Sequence, residues 1–178
     1  MASESRSSIR PIYLVILAVL LWSTGGLFIK STTIDAFQVT FFRSLFAAIT
    51  VAILTRRDGL AINGFGIITS LIYASLLFLF VWATKITTAA NAIFLQYTAP
   101  IYILVLAPYL IGEKFHLRDL ITVLVVLGGM SLFFVGQLRI EDYWGNLAAL
   151  CSGIALGLYI MLLRHRRADR LNPAIAVI

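Results

Sequence analysis

The chain has 178 residues, of which 61% are hydrophobic and only 12% are charged, and its mean hydropathy is +0.97. A soluble domain of this size cannot bury so much apolar surface, so a soluble fold is excluded and lipid is the expected solvent for most of the chain. The net charge of +6 is then best interpreted as a signal of membrane topology.

Six apolar runs of about membrane-spanning length follow one another along the chain. Because each run is continuously apolar and does not alternate with polar residues, the prediction is an all-α, polytopic transmembrane helical bundle. The first run is longer than the apolar part of a normal signal peptide and should remain in the mature protein. The predicted spans are Pro11–Ile29, Ala36–Thr55, Gly64–Thr84, Ala89–Ile111, Leu120–Leu138 and Trp144–Leu163.

The distribution of Lys and Arg predicts which way the chain threads the membrane. Ten of the fourteen lie in the N-terminal tail and in every second connection, three lie in the alternate connections, and Arg43 lies within the second span. The positive-inside rule therefore predicts a cytoplasmic N-terminus and a multi-pass protein of the cell (inner) membrane. The basic segment Arg164–Arg170 is short, adjoins a helix end and lacks interleaved aromatics, so nucleic acid is not an expected partner.

The C-terminal residues suggest the start of a repeat. The sixth run resembles the first in having small residues in its second half, a terminal cation and a short polar loop after it. Asn172 and Pro173 then look like the start of a seventh span that is cut short. The predicted organisation is a cytoplasmic tail (1–10), a five-helix unit (11–138) and the start of a second unit (139–178).

The first two spans carry several residues that are unusual in a membrane helix. Trp22 lies near mid-span, where it lines a cavity or packs in the core. The Gly25-Gly26 pair permits close packing or bending, and Lys30 either reaches the headgroups or faces a solute. Arg43 lies about 10 Å inside the second span, where a cation should face the bundle or a wet cavity; it either has a structural role or contacts an anionic group.

The fourth and sixth spans carry a polar line and a ridge of small residues. Asn91, Thr98 and Tyr102 lie on one face of a regular helix together with Thr87, and that face can bond a solute or another helix. Pro100 removes one backbone hydrogen bond and can bend or interrupt the helix. Bent or interrupted helices near mid-bilayer often lie beside binding sites. In the sixth span, Ala149, Gly153 and Gly157 recur at spacing four and predict a packing face.

Enzymatic and cofactor-dependent functions lack their usual signatures. No Asp or Glu lies inside a predicted span, and both histidines lie in predicted cytoplasmic loops. Neither a metal-ligand spacing nor a nucleotide-binding loop nor a nucleophile-base pair is recognisable. We therefore expect a protein that is not an enzyme, with no metal and no cofactor.

Several of these residues also carry a family resemblance. They are Trp22-Ser23 with Lys30, Arg43, the segment AANAIFLQYTAPIYILVLAPYLIGEK that begins at Ala89, and Gly128-Gly129. In this pattern the chain resembles the EamA-type permeases of the drug/metabolite transporter superfamily, most specifically at Tyr97, Pro100 and Gly112-Glu113. The resemblance implies two tandem five-helix repeats in inverted orientation, of which this chain would contain the first and the opening of the second.

The expected function is secondary transport of a small polar metabolite by alternating access. The alternatives are a truncated or non-transporting membrane protein, a chain that needs its missing second repeat, and a half-size carrier that is active only as a homodimer. The residues expected to contact the solute are Trp22, Arg43, Asn91, Thr98 and Tyr102, with Lys30 at the outer mouth.

The predicted topology can be tested by cysteine labelling. In a Cys151→Ala background, Arg57→Cys and His165→Cys should both react with a membrane-impermeant reagent from the cytoplasmic side only, because an even number of spans separates each from the N-terminus. Thr33→Cys, in the first outer connection, should react from the opposite side. Labelling of positions 57 and 165 from different sides would contradict the predicted threading.

Overall fold

The computed structural model describes residues 11–55, 63–133 and 141–165, and every regular element in this part of the chain is a helix. Five of the six predicted spans are single helices whose ends lie within three residues of the prediction, except that the end of the fifth lies outside the described residues. The fourth differs because a turn divides it into two helices. The helices are α1 (Pro11–Ser31), α2 (Ala36–Thr55), α3 (Gly64–Ile86), α4 (Ala89–Gln96), α5 (Ala99–Leu110), α6 (Leu117–Phe133) and α7 (Tyr143–Arg164).

Four helical stretches of the described residues are long and apolar enough to cross a membrane. They are Ala36–Thr55, Gly64–Ile86, Ala89–Leu110 and Tyr143–Arg164. The apolar part of α1 is the shorter segment Val15–Ser31, and α6 has 17 residues up to the end of its described range. Six crossings and a cytoplasmic N-terminus therefore stay predictions. The N-terminal tail, the end of the fifth predicted span and the predicted seventh span lie outside the described residues.

Side-chain caps and one glycine define where the helices begin and end. The Asn63 side chain accepts a hydrogen bond of 2.7 Å from the Gly66 amide at the start of α3, and Thr88 caps α4 in the same way. Gly112, just after α5, has a φ of 71°, a left-handed conformation that favours glycine. The fourth span therefore ends before the Gly112-Glu113 pair, because Gly112 has a backbone conformation that cannot continue a right-handed helix.

The division of the fourth span follows from Pro100. Proline has no amide hydrogen, so it cannot donate to the carbonyl of Gln96, and its ring crowds that carbonyl. The helix is interrupted at Tyr97–Thr98, where the Thr98 hydroxyl donates to the Leu95 carbonyl at 2.6 Å. The sequence correctly associated Pro100 with a missing hydrogen bond, but the interruption precedes the proline.

Helix α7 is the central helix of the described bundle, although the sequence assigns it to a second repeat. It packs most extensively against α3 and then against α4 and α5. A cluster of buried alanines forms the contact between α3, α4 and α7: Ala83, Ala92, Ala148 and Ala149. The predicted boundary at residue 138 lies outside the described residues and stays a prediction.

Glycines of α7 bring its backbone close to the interrupted fourth span. A β-carbon at Gly153 would lie 3.0 Å from the Gln96 carbonyl oxygen, and one at Gly157 would lie 3.3 Å from the Ala99 carbonyl oxygen. Both positions therefore lie directly against the backbone on either side of the turn. Small residues have this role in membrane bundles because lipid supplies no hydrophobic drive to bring helices together.

Contacts between helix ends define two ends of the bundle. At one end, the side chains of Asn91 in α4 and Asn146 in α7 are hydrogen-bonded. At the other end, Arg164 of α7 forms an ion pair with Glu113, and His165 contacts the ring of Phe65 at the start of α3. The starts of α4 and α7 thus lie together, as alternate threading requires of spans four and six.

We expect Gly153→Leu to destabilise the bundle by about 1–3 kcal/mol or more, because the new side chain must displace backbone and not a flexible side chain. Gly129→Leu is the matched control, since a β-carbon there has nothing within 4 Å. Thermal unfolding of the purified proteins in detergent provides the comparison. Equal midpoints for the two variants would show that the close approach of α7 does not limit stability.

Candidate functional site

A cavity of about 830 Å³ lies between α1, α2 and the turn that divides the fourth span. Its volume falls in the range of small-molecule sites, about 300–1,000 Å³. Its walls are mostly apolar, and they include the aromatic rings of Phe28 and Phe80. Leu156 contributes from α7, so the central helix closes part of the cavity.

Four polar side chains in the lining have no hydrogen-bond partner among the residues that the structure describes. They are Ser23 of α1, Arg43 of α2, and Gln96 and Tyr97 at the end of α4. A polar group in a membrane bundle without a protein partner is costly unless water or a solute satisfies it. These four side chains are therefore available to bind molecules that enter the cavity.

Arg43 occupies a particular position because it lines two cavities. Besides the large cavity, it borders a smaller one of about 110 Å³ with Ser44, Ala47 and Tyr73. Within the described residues the guanidinium has neither an ion pair nor a hydrogen bond. The structure thus places Arg43, an exposed residue, at the border of both cavities and beside small residues of its own helix. Its contact with a solute stays a prediction.

The glycine pair of α1 helps to form the cavity. Both Gly25 and Gly26 line it, while α1 continues through them as a helix to Ser31. A β-carbon at Gly25 would have nothing within 4 Å, and one at Gly26 would make ordinary contact with Ala89 and Ile93 of α4. The absence of a side chain at Gly25 therefore leaves the space open. The side chain of Trp22 lies outside the described part of the structure.

Lys30 forms hydrogen bonds with the protein and does not line the cavity. Its ammonium donates to the carbonyl oxygens of Thr84, Lys85 and Thr87 at 3.3, 3.3 and 2.8 Å, at the C-terminal end of α3. In return, the Lys85 ammonium donates to the carbonyl and the hydroxyl oxygen of Thr32 at 2.6 and 2.9 Å, just after α1. Each lysine thus satisfies carbonyls at the end of the other helix and complements its dipole. We call this arrangement the reciprocal lysine clamp.

The residues of the predicted polar line bond to each other and to neighbouring backbone and helices. Thr87 belongs to the end of α3, and its hydroxyl accepts a hydrogen bond of 3.0 Å from the Asn91 amide. Asn91 is only 3% exposed, and its amide also bonds Asn146 of α7. Thr98 is bonded to Leu95, and its hydroxyl oxygen lies 3.4 Å from that of Tyr102. Asn91, Thr98 and Tyr102 do not line the large cavity, and their contact with a solute stays a prediction.

Sequence reasoning missed Gln96 and Ser23. A glutamine within a membrane span is a signal in itself, because its amide needs polar partners. A regular helix through the fourth span puts Gln96 opposite Asn91 and Thr98, so Gln96 lies apart from the predicted polar line. Ser23 is distinguished in the sequence only by its position beside Trp22. Among the described residues, no group of three His, Cys, Asp or Glu side chains is arranged to hold a metal ion.

The apolar helices and the solute-sized cavity between them define a class of protein: multi-pass helical membrane proteins with a small-molecule-sized cavity between their helices. The chain belongs to the EamA-like transporter family, whose model matches residues 9–135. This match agrees with the resemblance noted in the sequence. The match places the chain in a family of membrane transporters.

A curated relative points the same way. The chain is 25% identical over 162 residues to an uncharacterized transporter of Archaeoglobus fulgidus. The match covers 86% of this chain and 56% of the relative, so the chain spans little more than half of that protein's length. No solved structure matches the chain significantly.

We expect Lys30→Met and Lys85→Met each to lower the free energy of unfolding by about 1–3 kcal/mol, because each removes charge-assisted bonds to helix-end carbonyls. Lys114→Met is the control, since this exposed lysine makes no such bond within the described residues. Denaturant unfolding in mixed micelles measures the difference. The reciprocal lysine clamp would be unimportant for stability if all three variants unfolded like the parent protein.

Proposed function

We propose that the protein is a secondary transporter that moves a small polar metabolite across the cell (inner) membrane by alternating access. The observation that carries this proposal is the cavity of about 830 Å³, where four polar side chains among apolar walls have no partner within the described residues. Polar side chains of a membrane bundle without a protein partner are costly unless water or a solute satisfies them. A solute pathway needs such polar side chains, because they replace the water that hydrates the polar groups of the solute.

The turn between α4 and α5 supports a site at this place. Interrupted helices expose backbone groups that regular helices use internally, and transporters commonly place their sites beside them. Gln96 and Tyr97 lie at the end of α4 and line the cavity, while α7 holds the opposite side of the turn through Gly153 and Gly157. Movement of α7 against the turn would therefore change the shape of the site.

The rest of the pathway requires a further unit. Helices α1 and α2 expose most of their large apolar side chains, for example Leu27 (69%) and Phe46 (66%). Lipid covers such surfaces in part, and alternating access requires a second unit that moves against the first. The relative is longer than this chain, which favours a second repeat over a homodimer as that unit. In this proposal the six crossings and the cytoplasmic N-terminus predicted from the sequence define the threading.

Solute flux tests the proposal. Reconstituted protein should release a mixture of labelled small metabolites from proteoliposomes faster than protein-free vesicles do. Gly25→Phe should reduce this flux at least about tenfold, because the ring would occupy the open space beside Gly25 without meeting backbone. Arg43→Ala should reduce it as well if the guanidinium contacts the solute.

The matched control is Gly129→Phe, on α6 and outside the cavity lining. It adds the same side chain and should leave flux within about twofold of the parent, provided that both proteins elute as single species. Flux that is insensitive to Gly25→Phe would exclude this cavity as the pathway. A parent protein that moves none of the solutes, alone or joined to a second five-helix unit, would contradict the proposed function itself.

A further inference from the structure

The charge balance of the cavity distinguishes between classes of solute. Arg43 is the one charged residue among the described residues that line it, and no Asp or Glu is among them. The described part of the chain supplies Arg43 with neither a carboxylate nor a carbonyl partner. Within the described residues, the site therefore has one positive charge that no carboxylate neutralises, beside apolar walls where opposite charges attract more strongly than in water.

The other lining groups indicate which chemical groups the solute has besides its negative charge. Phe28, Phe80 and Tyr97 supply aromatic surface, and Gln96 and Ser23 supply hydrogen-bonding groups without charge. An ammonium group in the solute would meet no carboxylate here and would be repelled by Arg43. A solute with an anionic group and no apolar part would leave the aromatic walls without contact.

We propose that the cavity binds organic monoanions with an apolar, preferably aromatic body, and that Arg43 holds their carboxylate. The guanidinium presents donors in a planar fork that matches a carboxylate, and such charge-assisted pairs are stronger than neutral hydrogen bonds. The inference rests on the proposed function in that the bound anion is the class of solute that would be carried. Binding itself is a separate property and can be measured without transport.

A series of probes of equal shape and different charge tests the inference. Hydrocinnamate, its neutral amide and the cationic phenylpropylamine are titrated calorimetrically into the full chain in lipid nanodiscs. We expect hydrocinnamate to bind at least about tenfold more tightly than the amide, and the amine to bind most weakly. Propionate, which has the carboxylate but no ring, should bind at least about tenfold more weakly than hydrocinnamate, because it leaves the apolar walls empty.

Variants then locate the charge preference. Arg43→Gln should weaken hydrocinnamate binding at least about tenfold and leave amide binding within about twofold, so that the amide reports a folded cavity. Arg43→Lys should retain most of the preference for the acid. Arg118→Gln removes a positive charge from the start of α6, outside the cavity lining, and should leave all affinities unchanged.

The outcomes separate this inference from the proposed function. Equal binding of acid, amide and amine by the parent protein would overturn the inference, and this comparison does not depend on any variant folding. Loss of the preference in Arg118→Gln but not in Arg43→Gln would also overturn it. An acid preference that depends on Arg43, in a protein that carries no solute, would support the inference and contradict transport. If the protein carried only neutral solutes and bound the acid no more tightly than the amide, the result would support transport and overturn the inference.

Discussion

The close approach of α7 to the interrupted fourth span is the contact on which the rest of the structure depends. Hydrophobic side chains cannot drive helices together in lipid, so close backbone packing must do so. Gly153 and Gly157 allow it on one side, and the turn before Pro100 shapes the other. This contact holds Gln96 and Tyr97 at the cavity, so a packing feature of α7 determines where polar groups of α4 lie.

The polar residues of the bundle divide into two groups with different roles. Lys30, Lys85, Asn91 and Asn146 have their hydrogen bonds satisfied at one end of the bundle, where they join α1 to α3 and α4 to α7. The lining residues Ser23, Arg43, Gln96 and Tyr97 have no such partners within the described structure. Satisfied groups stabilise one arrangement of the helices, whereas groups without a protein partner are available to water or a solute. The difference explains how a strongly apolar protein can have both a hydrogen-bonded end and a cavity with available polar groups.

Arg43 shows how far sequence reasoning reached into the site. Its depth in an apolar span was enough to predict a cavity-facing side chain, because a guanidinium in lipid is too costly. The same reasoning could not decide between a structural bond and a solute for Lys30, since a lysine at a helix end reaches either. The three carbonyls that accept from its ammonium belong to α3, more than fifty residues further along the chain. Such a contact has no local pattern in the sequence.

The sequence by itself determined the helices and the membrane as their solvent, because hydropathy over about twenty residues is a local property. It also identified the family, through residues that the family model matches. Only the tertiary structure decided which polar side chains share a cavity. Gln96 reaches the cavity from the end of α4, and Leu156 of α7 closes part of the space from a distant part of the chain. This arrangement depends on packing between segments, and the periodicity within one segment does not predict it.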